Sequence, residues 1–244
     1  MGPPIAACVE IRDFRLLPSM ADVLTAEERS KYCAYSRCTD AARFLVGRVL
    51  ARSIIAQALA CPQTDIAFVV ASGGKPFLSG REDICFSISH SGNYVACVLW
   101  DEGAIGLDIE IAANAEETRR LAPEFCSDRE CAWIHEGGER LAAQRCLTLW
   151  TLKEAYAKAT GEGLDDPRTH EFALSDAVLA QRIGALPPGE LQRWQFATAV
   201  KDDYTWSLAC RADDGNSLAL RDMCIEQVDL QVLLAQSKGA PYVF

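Results

Sequence analysis

The chain has 244 residues, half of them hydrophobic, and a formal net charge of −10. That is enough apolar material for one large domain or two small fused ones. The acidic balance argues against general nucleic-acid binding, and any anionic ligand must be held by a local group of Lys and Arg working against the overall field. The eleven cysteines are odd in number and contain no C-x-x-C pair. Many sit in apolar runs such as Ile84-Cys85-Phe86 and Ala96-Cys97-Val98, which reads as buried reduced thiols, not a zinc site or disulfide framework. The start lacks a basic segment followed by an apolar core, and no apolar run approaches the roughly 20 residues of a membrane span. The expectation is a soluble, cytoplasmic protein with no membrane or nucleic-acid partner.

Residues 5–17 carry Val9, Ile11, Phe14, Leu16 and Leu17 and predict a first strand. Thr25-Ala26-Glu27-Glu28 is a capping-box start for a helix. From Asp40, the residues Phe44, Leu45, Val46, Val49, Leu50, Ile54, Ile55 and Leu59 recur at helical spacing up to Cys61-Pro62. Arg43, Arg48 and Arg52 fall between them and are expected to be solvated or snorkelling; Arg43, near the helix start, is the best placed of them for an anion. Ile66–Val70 predicts a strand, and Ser72-Gly73-Gly74-Lys75-Pro76 a tight turn without P-loop spacing. Ile84–Ser89 alternates, with Ile84, Phe86 and Ile88 on one face and Ser87 and Ser89 on the other. His90 ends this strand, Ser91-Gly92-Asn93 turns, and Tyr94–Trp100 returns. The hydroxyls and imidazole could bind phosphate or simply stabilise the turn.

Asp101-Glu102-Gly103 marks a break, giving expected subdomains over 1–103 and 104–244. Ile105–Ile111 is a second alternating strand that puts Asp108 and Glu110 on one face. Side-by-side acids repel unless a cation lies between them or the edge is solvated; a hard divalent ion such as Mg²⁺ would suit them. Residues 115–121 predict a helix, and Ser127 with Glu130 a capping box for the next, through Cys131 and Trp133. After the His135-Glu136-Gly137-Gly138 break, Leu141–Thr160 is a helix of good formers stopped by Gly161. Trp150, Glu154 and Lys158 share one side of it, either as a solvated ion pair or as a carboxylate and ammonium presented to metal and phosphate. Pro167, Pro187-Pro188 and Gly189 punctuate the stretch beyond this helix. Trp194–Ala197 and Tyr204–Leu208 form a hairpin around Lys201-Asp202-Asp203, and the tail from Glu226 has a helix-like pattern. His135 and His170 lie in loop-like settings and receive no role.

Four blocks together resemble the 4′-phosphopantetheinyl transferases of the surfactin-synthetase-activator type. They are Gly74-Lys75-Pro76; Phe86-Ser87-Ile88-Ser89-His90-Ser91; Gly106-Leu107-Asp108-Ile109-Glu110; and Trp150-x-x-Lys153-Glu154-Ala155-x-x-Lys158-x-x-Gly161-x-Gly163-Leu164. Asp40-Ala41-Ala42-Arg43-x-Leu45-x-Gly47 and Phe125-x-Ser127-x-x-Glu130 add to them. The likeness covers roughly residues 25–165. It implies an α+β fold of two similar α/β subdomains related by a pseudo-twofold, with coenzyme A in the cleft between them, and the monomeric fused type. The implied reaction is Mg²⁺-dependent (Mn²⁺ as alternative): the phosphopantetheine arm moves onto a serine of an apo carrier protein of fatty-acid, polyketide or peptide-synthetase origin, leaving 3′,5′-ADP. By the same resemblance Asp108, Glu110 and Glu154 hold the metal and Lys158 pairs with the phosphates. Arg43 and His90, with Ser89, contact the 3′-phosphate, Lys75-Pro76 borders the adenine, and Lys31 is a further phosphate contact. Glu154, Glu130 or a metal-bound water takes the serine proton. Glu28 departs from the pattern, since the family often has a basic residue near this position. A non-catalytic coenzyme A or carrier-binding protein and a metal-dependent phosphate-ester hydrolase are the competing readings.

Overall fold

The early apolar run becomes strand β1 (Ile5–Glu10), which stops where Asp13 turns its carboxylate back onto the Arg15 amide and caps a 3-10 helix over Phe14–Val23. Phe14, Leu16 and Leu17 thus leave the strand, because the Asp13 side chain offers the backbone a local alternative to ladder pairing. The computed structural model describes residues 3–70, 74–136, 138–164, 172, 194–212, 220 and 225–239. The proline and glycine punctuation at 167 and 187–189, the first two residues of the turn predicted at 72–76, and His170 lie outside the described residues.

Two compact units emerge: Met1–Asp101 with Cys224–Phe244, and Glu102–Met223. The break falls within the predicted Asp101-Glu102-Gly103 segment. The contiguous 104–244 subdomain is corrected at its end. Strand β9 (Glu226–Val228) pairs parallel with β1 and adds buried Val228 to the first unit's core, and the C-terminal helix (Leu230–Ser237) adds Leu230 and Leu233.

In the first unit the sheet runs β4-β5-β1-β9, with β4 at Cys85–Ser91 and β5 at Tyr94–Trp100. Helix α1 (Ala26–Ala34) starts on the predicted Thr25–Glu28 capping box. Helix α2 (Cys38–Leu59) is buried through its middle, so its apolar residues pack on most sides. Arg48 and Arg52 are buried with it, not solvated: they are 6% and 1% exposed. The strand predicted over 66–70 shortens to β2 (Phe68–Val70), and Pro76 opens β3 (Pro76–Leu78), which pairs antiparallel with it. A proline is tolerated as the first residue of a strand.

The second unit also sets a long helix on a sheet, here antiparallel throughout, order β6-β8-β7, with β6 at Gly103–Ile111, β7 at Gln195–Val200 and β8 at Tyr204–Ala212. Helices α3 (Ala115–Phe125) and α4 (Asp128–His135) precede α5 (Glu139–Thr160), which ends on Gly161 at φ 79°, as its sequence predicts. This mixed architecture is the expected α+β class.

What fixes α5 on the sheet is Gly106. A Cβ built there would stand 2.1 Å from the Ala155 carbonyl oxygen and 2.5 Å from the Ala159 amide nitrogen. Ala155 and Ala159, one turn apart, form a small-residue ridge that rests on bare backbone. Beneath the same helix a hydroxyl chain runs from Thr151 to Ser207 (2.7 Å), on to Thr198 (3.0 Å) and to the Trp206 carbonyl (3.0 Å). Replacing Gly106 by alanine drives a methyl into backbone that cannot rotate away. The expected loss is about 3 kcal/mol, the upper end of ordinary overpacking, read as a lower denaturant midpoint.

Burial pushes the thiols of Cys8, Cys146 and Cys210 up to about 12 from the ordinary 9.0, and those of Cys97 and Cys126 further. Above about pH 9 the unfolded chain gives up these protons and the folded chain keeps them, so stability is full below that pH and falls as pH rises. The denaturation midpoint is expected to decline from about pH 9 upward, and less steeply in Cys210→Ala.

Candidate active site

Asp108 and Glu110 alternate with buried Leu107 and Ile109 on β6, as the period of two requires. They share a face with Gly106, and that face is the one α5 covers. Because the Ala155–Ala159 ridge seats the helix so closely, the residues just before each alanine, Glu154 and Lys158, overhang the acids. Lys158 Nζ lies 2.5 Å from Asp108 Oδ1 and 4.0 Å from Glu154 Oε2. Glu110 Oε1 accepts from Asn114 Nδ2 at 2.8 Å and from the Ile111 amide at 3.1 Å, which fixes its carboxylate. Burial raises Glu154 above the ordinary carboxylate value; Lys158 pulls it back, and Asp108 and Glu110 raise it again.

The site is therefore three carboxylates within electrostatic reach of one another and one ammonium against two of them. These are hard oxygen donors, and they fit a cation of the Mg²⁺ kind, which takes one or two protein carboxylates and completes its shell from phosphates and water. They do not form a closed cage: among the described residues no three His, Cys, Asp or Glu side chains stand arranged to hold a metal by themselves.

Glu130 is built differently. It is 3% exposed, Oε2 accepts from the Ser127 amide and from Lys153 Nζ, both at 2.8 Å, and Oε1 accepts from the Phe172 amide at 2.8 Å. A proton acceptor needs an oxygen open to the reacting hydroxyl. Glu130 is held by a capping box, a buried ion pair and the Phe172 amide. Trp150 also acts in packing, edge-on to Phe125 at 4.9 Å.

In the first unit the β4–β5 turn is tighter than predicted. His90 and Ser91 remain in the strand and only Gly92-Asn93 turn, since Ser91 pairs with Tyr94. Arg43 Nε donates to the Gly92 carbonyl at 2.7 Å and Nη1 to Asp40 Oδ1 at 2.9 Å, so α2 and the turn beyond His90 are tied together. His90 is exposed; Ser89, one residue earlier, faces the opposite side of the strand and is 3% exposed. Strand alternation thus separates these two predicted phosphate contacts. Lys75 is half-buried near the Phe77 ring, and burial lowers its ammonium below the usual value. Lys31 lies over Phe44 at 5.5 Å.

Sequence reasoning did not find Asn114, Thr151, Ser207 or Phe172. Thr151, Ser207 and Phe172 act through partners distant in sequence, where no periodicity signals them; Asn114 lies four residues beyond Glu110, in the 3-10 turn Ala112–Asn114.

Two family models match the chain, 4′-phosphopantetheinyl transferase, N-terminal, over residues 15–99 and 4′-phosphopantetheinyl transferase superfamily over residues 104–209. A Synechocystis sp. protein named as a putative 4′-phosphopantetheinyl transferase, slr0495, is 31% identical over 212 residues, 84% of this chain and 80% of that protein. A Bacillus subtilis 4′-phosphopantetheinyl transferase is 32% identical over 167 residues, 68% of this chain and 70% of the other. The transferase Sfp of Bacillus subtilis strain 168 is 33% identical over 144 residues, 59% and 63% of the two chains. The chain belongs to the 4′-phosphopantetheinyl transferase superfamily, among the enzymes of surfactin-synthetase-activator type. The family's reaction uses coenzyme A and carrier proteins, the two partners that the sequence resemblance implied.

Removing one member of the buried Lys153–Glu130 pair leaves the other charge uncompensated. Lys153→Met is expected to cost about 3–5 kcal/mol, and the double variant Lys153→Met/Glu130→Leu less than the single, as measured by chemical denaturation.

Proposed function

We propose that this chain transfers the 4′-phosphopantetheine arm of coenzyme A to a serine of an apo carrier protein in a Mg²⁺-dependent reaction and releases 3′,5′-ADP. The observation that carries this reading is the Asp108–Lys158–Glu154 cluster, held over Gly106 with Glu110 alongside. Asp108, Glu110 and Glu154 would hold the metal, which when bound supplies positive charge to the pyrophosphate oxygens. Lys158 adds a protein cation at the same place and keeps the arm's phosphate oriented. Glu154, whose side chain is 23% exposed beside Lys158, is the candidate carboxylate for the serine proton. At the nucleotide end, Arg43 and His90 are the phosphate contacts supported best, since α2 and the β4–β5 turn are bonded to each other. Ser89 is a weaker contact, being on the other face of β4. Lys75-Pro76 would border the adenine and Lys31 would be an outer phosphate contact.

The same reading makes the chain a monomeric cytoplasmic enzyme acting on neither nucleic acid nor membrane. Its charge of −10 and its described cysteines, all free thiols, support this. Among the described residues, no helix is long and apolar enough to cross a membrane.

The test is intact-protein mass spectrometry of apo carrier proteins of fatty-acid, polyketide and peptide-synthetase type incubated with this protein, coenzyme A and Mg²⁺. A gain of one phosphopantetheine arm, abolished by EDTA and lowered at least ~100-fold in Asp108→Ala and Glu154→Ala, is the expected result. No gain on any carrier while coenzyme A still binds would favour a non-catalytic protein. Release of free phosphopantetheine without a carrier would favour a hydrolase.

A further inference from the structure

A second charged cluster lies wholly within the first unit and belongs to no predicted contact. Glu28, the acidic half of the capping box of α1, accepts from the Thr25 amide at 3.0 Å. The same carboxylate accepts from Arg52 Nη2 at 2.7 Å and lies 3.4 Å from Arg48 Nε. Both arginines stand on α2, one turn apart. Their guanidinium groups lie over aromatic rings: Arg52 over Phe68 of β2 at 4.6 Å, and Arg48 over both Phe68 and Phe44 at 5.2 Å. One carboxylate therefore joins the start of α1, the middle of α2 and, through two guanidinium groups, strand β2.

The cluster is expensive. Two cations and one anion have left water, and a surplus positive charge remains. Among the described residues, Arg48 Nε and Nη1 and Arg52 Nη1 are buried without hydrogen-bond partners. Cation–π contact with the two rings offsets part of this cost, and Glu28 is the anion that pairs with both arginines. Two of the three elements it clamps carry nucleotide-end residues, and the third, β2, pairs with the strand that Pro76 opens. Lys31 is one turn beyond Glu28 on α1 and rests on Phe44, the ring that also supports Arg48. Arg43 precedes Arg48 on α2. Lys75-Pro76 leads into β3, the strand paired with β2.

We infer that Glu28 is a positioning residue for the nucleotide end of coenzyme A: it touches no ligand and instead fixes α1, α2 and β2 to one another, and with them the placement of Lys31, Arg43 and the Lys75-Pro76 segment. This rests on the transferase reading above. At the position where the family often has a basic residue, Glu28 thereby compensates charge inside the frame and makes no contact from its edge.

The test measures coenzyme A affinity by calorimetry and transfer kinetics with a saturating carrier for wild type, Glu28→Gln, Glu28→Lys and Glu28→Lys/Arg48→Glu. Glu28→Gln is expected to raise the KM and Kd for coenzyme A about tenfold with kcat within about twofold, the size of a coupling in a shared ion-pair network. Glu28→Lys is expected to be worse, and the double variant, which restores the cluster's net charge, to recover most of the affinity. Glu28→Lys binding coenzyme A as tightly as wild type or more tightly would overturn the inference. So would losses that follow only the folded fraction in thermal unfolding. Arg48→Gln, which keeps the Glu28–Arg52 pair, serves if the Glu28 variants do not fold; an unchanged KM in it also overturns the inference. A wild-type protein that does not bind coenzyme A would instead defeat the transferase reading, and this inference with it.

Discussion

The second unit depends on how near a helix can come to a strand. With any side chain at position 106, α5 would stand off from β6 by roughly the thickness of a methyl group, and carboxylates set on β6 would no longer meet an ammonium on α5. The contact with β6 is made of glycine and alanine, with the hydroxyl chain through Thr151, Ser207 and Thr198 and the apolar core of Leu149, Leu152, Tyr156 and Phe196 holding the same helix. This is a sensible foundation for a site of like charges. The acids repel one another, and a stiff support is needed to keep them from separating.

Both units meet the same electrostatic problem in opposite sign. In the second, acids gather and Lys158 is supplied; in the first, arginines gather and Glu28 is supplied. The Lys153–Glu130 pair is the neutral case, fully buried, with the carboxylate also bonded to the Phe172 and Ser127 amides. The difference in exposure matters. The pair that is sealed serves the fold, and the cluster that keeps Lys158 and Glu154 partly open can serve chemistry.

Much of this was legible in the letters because it is periodic. Alternation placed Asp108 and Glu110 on one face, and helical spacing put Glu154 and Lys158 a turn apart. Two capping boxes announced themselves by composition. What was hidden is non-local. Nothing near Arg48 or Arg52 in sequence shows that an acid twenty-odd residues earlier pairs with both, so their burial has no local signal. The partners of Glu130, Lys153 and Phe172, are likewise remote along the chain. The separation of Ser89 from His90 was present in the strand period, but the resemblance grouped the two by motif and not by face. The parallel pairing of β9 with β1 joins the two ends of the chain, and no local pattern encodes it.

That last pairing changes what the word subdomain can mean here. The chain leaves the first unit once, builds the whole of the second, and comes back, so the second unit is topologically an insertion into the first. It is bounded by two covalent crossings, and no single cut yields two independently complete halves. An N-terminal fragment ending near residue 101 would keep β1 with one ladder edge stripped and the C-terminal helix missing from its core. Dissection of this enzyme by expression of separate pieces calls for excising residues 102–223 and rejoining their flanks, not for splitting the gene in the middle.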